Sequence, residues 1–124
     1  MYHDHNTLQA AGQMLVAFAF LATGIRNAGW KFEQHLQRMI AYGVPQAKLA
    51  LFVGFVLQFA GAILLALDLH RTLGASLLIV FTLLASAVFH RWWLIPDPLL
   101  AHLHLSNLIV NCAVVGGLLL VAAI

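Results

Sequence analysis

The chain has 124 residues, 63% of them hydrophobic and 8% charged, with a formal net charge of +2. Soluble domains carry roughly 25% charged residues, so a water-soluble globule is excluded. A charge this small gives no reason to expect nucleic acid as a partner. Cys112 stands alone inside an apolar block, which excludes an internal disulfide and a CxxC redox pair.

Four apolar blocks run Leu8–Ile25, Leu49–Leu67, Leu73–Phe89 and Leu105–Ile124. Each has the ~17–25 residues that an α-helix needs to cross a ~30 Å hydrocarbon layer. Backbone groups in lipid must satisfy one another, so four blocks predict four helices. Short connections then predict an all-α, up-down four-transmembrane-helix bundle forming a single integral membrane domain over residues 1–124. The first block reads as a retained helix, since Met1 to Thr7 carries no Lys or Arg and no small-residue cleavage site follows.

Between the first two blocks lies a patterned segment, Trp30–Tyr42. Phe32, Leu36, Met39 and Ile40 recur at helical spacing, with Lys31, Gln34, His35 and Arg38 opposite. This predicts an amphipathic helix lying in the membrane interface, ended by Gly43 and Pro45. A tight turn is expected near Asp68–Thr72. The third loop, Arg91-Trp-Trp-Leu-Ile-Pro-Asp-Pro, is expected to be irregular because Pro96 and Pro98 break it. Trp30, Tyr42, Trp92 and Trp93 fall where interfacial aromatic anchors are expected. The first and third loops and their helix edges carry Arg26, Lys31, Arg38, Lys48 and Arg91; the opposite face carries Arg71. The positive-inside rule therefore places those loops in the cytoplasm and both termini outside.

Polar side chains inside the blocks are costly in lipid and mark candidate sites. Gln58 is the strongly polar residue of the second block. Thr82, Ser86 and His90 form one stripe on the third, and Asn107 and Asn111 are one turn apart on the fourth. All lie in the half of the bundle nearer the first and third loops. Gln58, Ser86, His90, Asn107 and Asn111 are therefore candidate quinone- or lipid-binding residues, and Gln58, Ser86, His90 and Asn111 are expected to point into the bundle. The bland reading is hydrogen bonding between helices, worth about 0.6 kcal/mol per pair. Gly54, Gly61, Gly74 to Ser76, Gly116 and Gly117 read as close helix packing. His3-Asp4-His5 and His102-Leu103-His104 have metal-ligand spacing, but the up-down topology puts the two pairs on opposite faces. His35, His90, His102 and His104 share one face without a supporting carboxylate cluster, so no metal site is expected.

Several segments together resemble the DoxX family of small bacterial four-helix membrane proteins. The matching stretch begins at Phe20-Leu-Ala-Thr-Gly, passes Tyr42-Gly-Val-Pro and continues to the end of the chain. Gln58-Phe-Ala-Gly-Ala-Ile-Leu-Leu-Ala-Leu-Asp-Leu-His-Arg is similar to the family's Glu, Gly pair, aliphatic run and basic turn. Phe89-His90-Arg91-Trp92-Trp93 resembles its His followed by aromatics, and Asn111 to Leu120 resembles its Asn, aliphatic spacer and Gly-Gly-Leu-Leu ending. Gln58 stands where the family commonly has Glu, and Val110 where a Lys often precedes the Asn. The resemblance implies that an intramembrane acid and base have been replaced by neutral groups.

The resemblance also implies a membrane subunit near quinone chemistry, in a bacterial inner membrane. The first expectation is an accessory or anchoring subunit of a larger quinone-linked redox complex, with other membrane subunits as partners. The second is an independent quinone-reactive protein in which His90, Gln58 or Asn111 donates to quinone oxygens. A small-solute carrier is disfavoured, since the four blocks show no internal repeat or broken helix. No flavin- or haem-binding motif is evident, so no intrinsic cofactor and no catalytic residue are assigned. A quinone or lipid is the expected bound molecule.

Overall fold

A computed structural model of the chain describes residues 5–124. It contains α1 (Thr7–Gly29), α2 (Phe32–Ala41), α3 (Ala47–Ala66), α4 (Arg71–Phe89), a single 3-10 turn at Trp92–Leu94 and α5 (Pro98–Ala122). Local chemistry sets the ends. The Asn6 side chain accepts from Gln9 N at 2.8 Å, and the Gln9 side chain accepts from Asn6 N at 2.9 Å, a reciprocal cap that starts α1. Asp97 caps α5 by accepting from Leu99 N at 2.9 Å, with Pro98 at the first helical position. The sequence expectation treated Pro98 as a breaker, yet at this position its missing N–H costs nothing and its φ suits a helix. The final helix therefore opens well before the apolar block at Leu105 and includes His102 and His104. The third loop is shortened accordingly and holds one 3-10 turn.

α1, α3, the segment opening with α4, and α5 are each long and apolar enough to cross a membrane. Their outward side chains are apolar and exposed, as at Leu15, Phe18, Val80, Leu83 and Leu120. The protein is a multi-pass membrane protein. α3 packs on both α1 and α4, and α5 packs chiefly on α4. The α3–α4 seam is the tightest: a Cβ placed on Gly61 would stand 2.9 Å from the Gly74 carbonyl oxygen and 2.8 Å from Leu78 Cγ. Gly61 and Gly74 thus fill the close-packing role expected of them. Gly116 and Gly117 do not, since a Cβ on either meets nothing within 4 Å.

The half of the bundle nearer the termini is closed. Ala17, Leu65, Ala75, Leu78, Leu118 and Val121 form its core. A polar knot finishes that end. The Gln13 amide, fully buried, donates to the Leu65 carbonyl at 2.9 Å and to Asp68 Oδ1 at 3.0 Å. Arg71 Nη1 donates to the same Asp68 oxygen at 3.2 Å, and Arg71 Nη2 donates to the Ile124 carbonyl at 2.9 Å. His5 Nε2 lies 2.6 Å from Gln13 Oε1. Asp68 and His70 take positive φ to make the turn between α3 and α4, a conformation that Asp and His adopt more readily than most residues.

The loop-side half is built differently. α2 has only ten residues, too few to span lipid, and it lies across the ends of α1, α3 and α4. Its Phe32, Leu36 and Met39 pack on Leu51, Phe55, Val88 and Phe89, as the apolar stripe read from the sequence requires, while Ile40, read as part of the same stripe, is exposed.

Candidate functional site

A cleft of about 950 Å³ occupies the loop-side half, between α1, α3, α4 and α5 and above α2. It exists because α5 joins the core through Leu118 and Val121 but contributes little to it nearer the loops. Lipid-exposed Leu15, Val53 and Leu84 lie on its rim, so the cleft opens to the membrane. Its volume is at the upper end of the ~300–1,000 Å³ usual for small-molecule sites.

The walls are apolar apart from a few groups. The Gln58 Nε2 donates to the Phe20 carbonyl at 2.8 Å and to Thr23 Oγ1 at 3.1 Å. Gly24 makes this reach possible: a Cβ there would sit 3.0 Å from Phe59 Cζ and 3.1 Å from Gln58 Nε2. Two segments that carried the family resemblance, Phe20–Gly24 and Gln58, thus meet face to face. The Phe20 carbonyl accepts only, so it fixes which end of the amide is nitrogen. Gln58 Oε1 is left buried with no partner, and so is Thr82 Oγ1 on α4. Gln58 is 1% exposed and Thr82 4%. Each orphaned group costs about 1–3 kcal/mol in a dry site.

A polar seam joins α4 to α5 along the same side. Asn111 Nδ2 donates to Ser86 Oγ at 2.8 Å, and His90 Nδ1 lies 3.1 Å from His104 Nδ1. One imidazole donates in that pair and the other accepts, which fixes complementary tautomers. His90 and Asn111 line the cleft together with Gln58 and Thr82; Ser86 is buried behind them and reaches the cleft through Asn111. Asn107 is exposed and stands outside the cleft. Of the four aromatic anchors, Trp30, Trp92 and Trp93 are exposed at the loop face, and Tyr42 lies under Arg91, 5.9 Å from its guanidinium. Among the described residues no three His, Cys, Asp or Glu side chains are grouped to hold a metal ion. His3 and Asp4 lie outside the described residues.

His35 and Arg38 of α2 form the loop-side lip of the cleft. Arg38 Nη2 donates to the Phe89 carbonyl at 3.0 Å, and its guanidinium lies 5.0 Å above the Phe89 ring. The His35 ring meets the same phenyl edge-on at 5.2 Å, and neither of its nitrogens has a partner. Burial first, and then the charges of Arg38 and Lys31, hold the His35 imidazole below its ordinary value. The unfolded chain takes up a proton near pH ~6.5, and the folded chain resists it. This contribution to stability is therefore whole above about pH 6.5 and is lost as the pH falls below it. A His35→Phe variant should melt with a shallower pH dependence than the parent between about pH 7.5 and 5.5; equal slopes would mean that His35 contributes nothing to it.

The sequence model of the DoxX family matches residues 9–91. The chain belongs to the DoxX family. The matched residues run from α1 through the end of α4, so they contain Gln58, Thr82, Ser86 and His90; Asn111 and the rest of α5 lie beyond them. No curated protein and no solved structure matches this DoxX chain. Within the matched stretch, sequence reasoning passed over two groups that shape the molecule. Gln13 was readable in principle, as an amide within an apolar block like Gln58. The role of Gly24 was not, because it depends on α3 packing against α1 at that level.

Proposed function

We propose that this DoxX-family protein is an accessory membrane subunit of a quinone-linked redox complex in a bacterial inner membrane, and that its cleft holds a quinone. One observation carries the reading: Gln58 and Thr82 line an apolar cleft that opens to lipid, and each holds a buried polar atom without a partner, Oε1 and Oγ1, which a small turn of the side chain would bring to a ligand. A quinone supplies what they lack. The Thr82 hydroxyl donates to a ring carbonyl, and Gln58 Oε1 accepts from the hydroxyl of the reduced form. The apolar walls take the ring and the start of its tail. Only neutral polar groups reach the deep part of the cleft, so the chain binds and orients while electrons come from a partner subunit. The exposed apolar flanks of α1 and α5 leave room for that partner.

The test is purification from the native membrane in mild detergent, with quinone and partner proteins assayed. The parent should carry quinone, and Gln58→Leu with Thr82→Val should lose most of it while melting near the parent temperature, because removal of two orphaned polar atoms offsets the loss of the Gln58 bonds to Phe20 and Thr23. Equal quinone content in parent and variant would remove the reading.

A further inference from the structure

We propose that the loop-side mouth of the cleft is a binding site for an anionic phospholipid, with the phosphate on Arg38 and one acyl chain in the apolar part of the cleft. This rests on the cleft but not on the quinone, whose polar partners lie deeper.

α2 lies outside the four apolar spans and packs on α1, α3 and α4, and Arg38 is the charged residue by which it meets the cleft. The guanidinium is held in place by the Phe89 carbonyl and ring. A fixed guanidinium loses little freedom when it takes up a phosphate, and its remaining N–H groups form a fork that matches phosphate oxygens. Its charge is not neutralised. Among the described residues the ion pairs join Asp68 to His5 and to Arg71, at the opposite end of the bundle. The nearest acid along α2, Glu33, accepts from Gln37 at 2.9 Å. Beside Arg38 lies the His35 ring, whose two nitrogens are buried and unengaged. Beneath them Met39, Leu51, Phe55 and Val88 give an apolar wall that leads to the lipid-exposed rim. A soluble anion has no use for that wall. A lipid fits both parts, because its charge and its chain arrive in the order in which the mouth presents Arg38 and the wall.

The test compares melting temperatures in nanodiscs of phosphatidylglycerol and of phosphatidylcholine with the same acyl chains. The parent should melt roughly 5 °C higher in phosphatidylglycerol, a shift within the range that ligand linkage gives a chain of this size. Arg38→Gln should close that gap and Arg38→Lys should keep part of it. Arg26→Gln, an exposed cation on the same face and outside the cleft, should keep it whole. A gap that survives in Arg38→Gln, or that Arg26→Gln reduces equally, overturns the site and leaves only diffuse attraction to the membrane surface. Should Arg38→Gln fail to fold, native mass spectra of the parent from mixed-lipid nanodiscs decide. Retained phosphatidylglycerol supports the site, and equal retention of the two lipids overturns it. Quinone content measured on the same samples reads the deeper site separately.

Discussion

Asp68→Ala lowers the stability of the bundle by about 3 kcal/mol, the low end of what removing one member of a buried ion pair costs. Asp68 Oδ1 accepts from Gln13 and Arg71, and the side chain is only 8% exposed. Without it Arg71 keeps its bond to the Ile124 carbonyl, but its charge has lost its acid at the edge of a low-dielectric bundle. The backbone adds to the effect. Asp68 sits at φ 53°, where Ala is strained and Asn is tolerated. Asp68→Asn keeps a hydrogen-bond acceptor and the turn, so it should lose roughly half as much. Thermal melting in detergent measures both. Melts within error of the parent for Asp68→Ala would mean that the knot of Gln13, Asp68 and Arg71 is peripheral to the fold.

Gly61→Val is the second large effect, expected at about 1–3 kcal/mol from overpacking. The added Cβ meets a backbone oxygen at 2.9 Å as well as the Leu78 side chain. Leu78 is itself fully buried, and the Gly74 carbonyl moves only if α4 moves. Separating α3 from α4 also shifts Thr82, one helical surface away, so the variant should bind less quinone as well as melt lower. Gly116→Val gives the contrast. Nothing stands within 4 Å of a Cβ there, so the monomer should tolerate it to within about 0.5 kcal/mol. A Gly116→Val melt as low as that of Gly61→Val would mean that α5 packs on something that its own chain does not supply.

Much of this architecture can be read from the amino-acid order because lipid leaves the backbone few choices. Block length yields four spanning helices, and the spacing of Phe32, Leu36 and Met39 yields α2. The start of α5 is less legible: a Pro reads as a breaker until its neighbour is recognised as a cap, and Asp97 is that neighbour. The site divides in the same way. A polar residue in an apolar block announces itself, so Gln58, Thr82, Ser86, His90 and Asn111 stand out, and the structure brings them to one side of the bundle. Asn107 announces itself equally and is exposed, because one helical turn is not enough to decide rotation about α5. Partners are the least legible part. That Gln58 bonds the Phe20 carbonyl and leaves its oxygen free depends on how α3 seats against α1. That His90 meets His104 depends on α5 beginning early enough to make a helix of His104. An amide at Gln58 has a local meaning in this setting: an ionised carboxylate facing the Phe20 carbonyl would be repelled, whereas the amide donates to it.

The proposed quinone site lies in the cleft between α1, α3, α4 and α5, at Gln58 and Thr82. The most direct measurement is photolabelling in native membranes with an azido-quinone, followed by mapping of the labelled peptides. Label is expected on cleft-lining residues such as Phe20, Phe81 and Val114, competed by unlabelled quinone and lost in the Gln58→Leu, Thr82→Val double variant. Label spread over lipid-facing positions such as Val80 and Leu120, unaffected by competition or by the two substitutions, would contradict it.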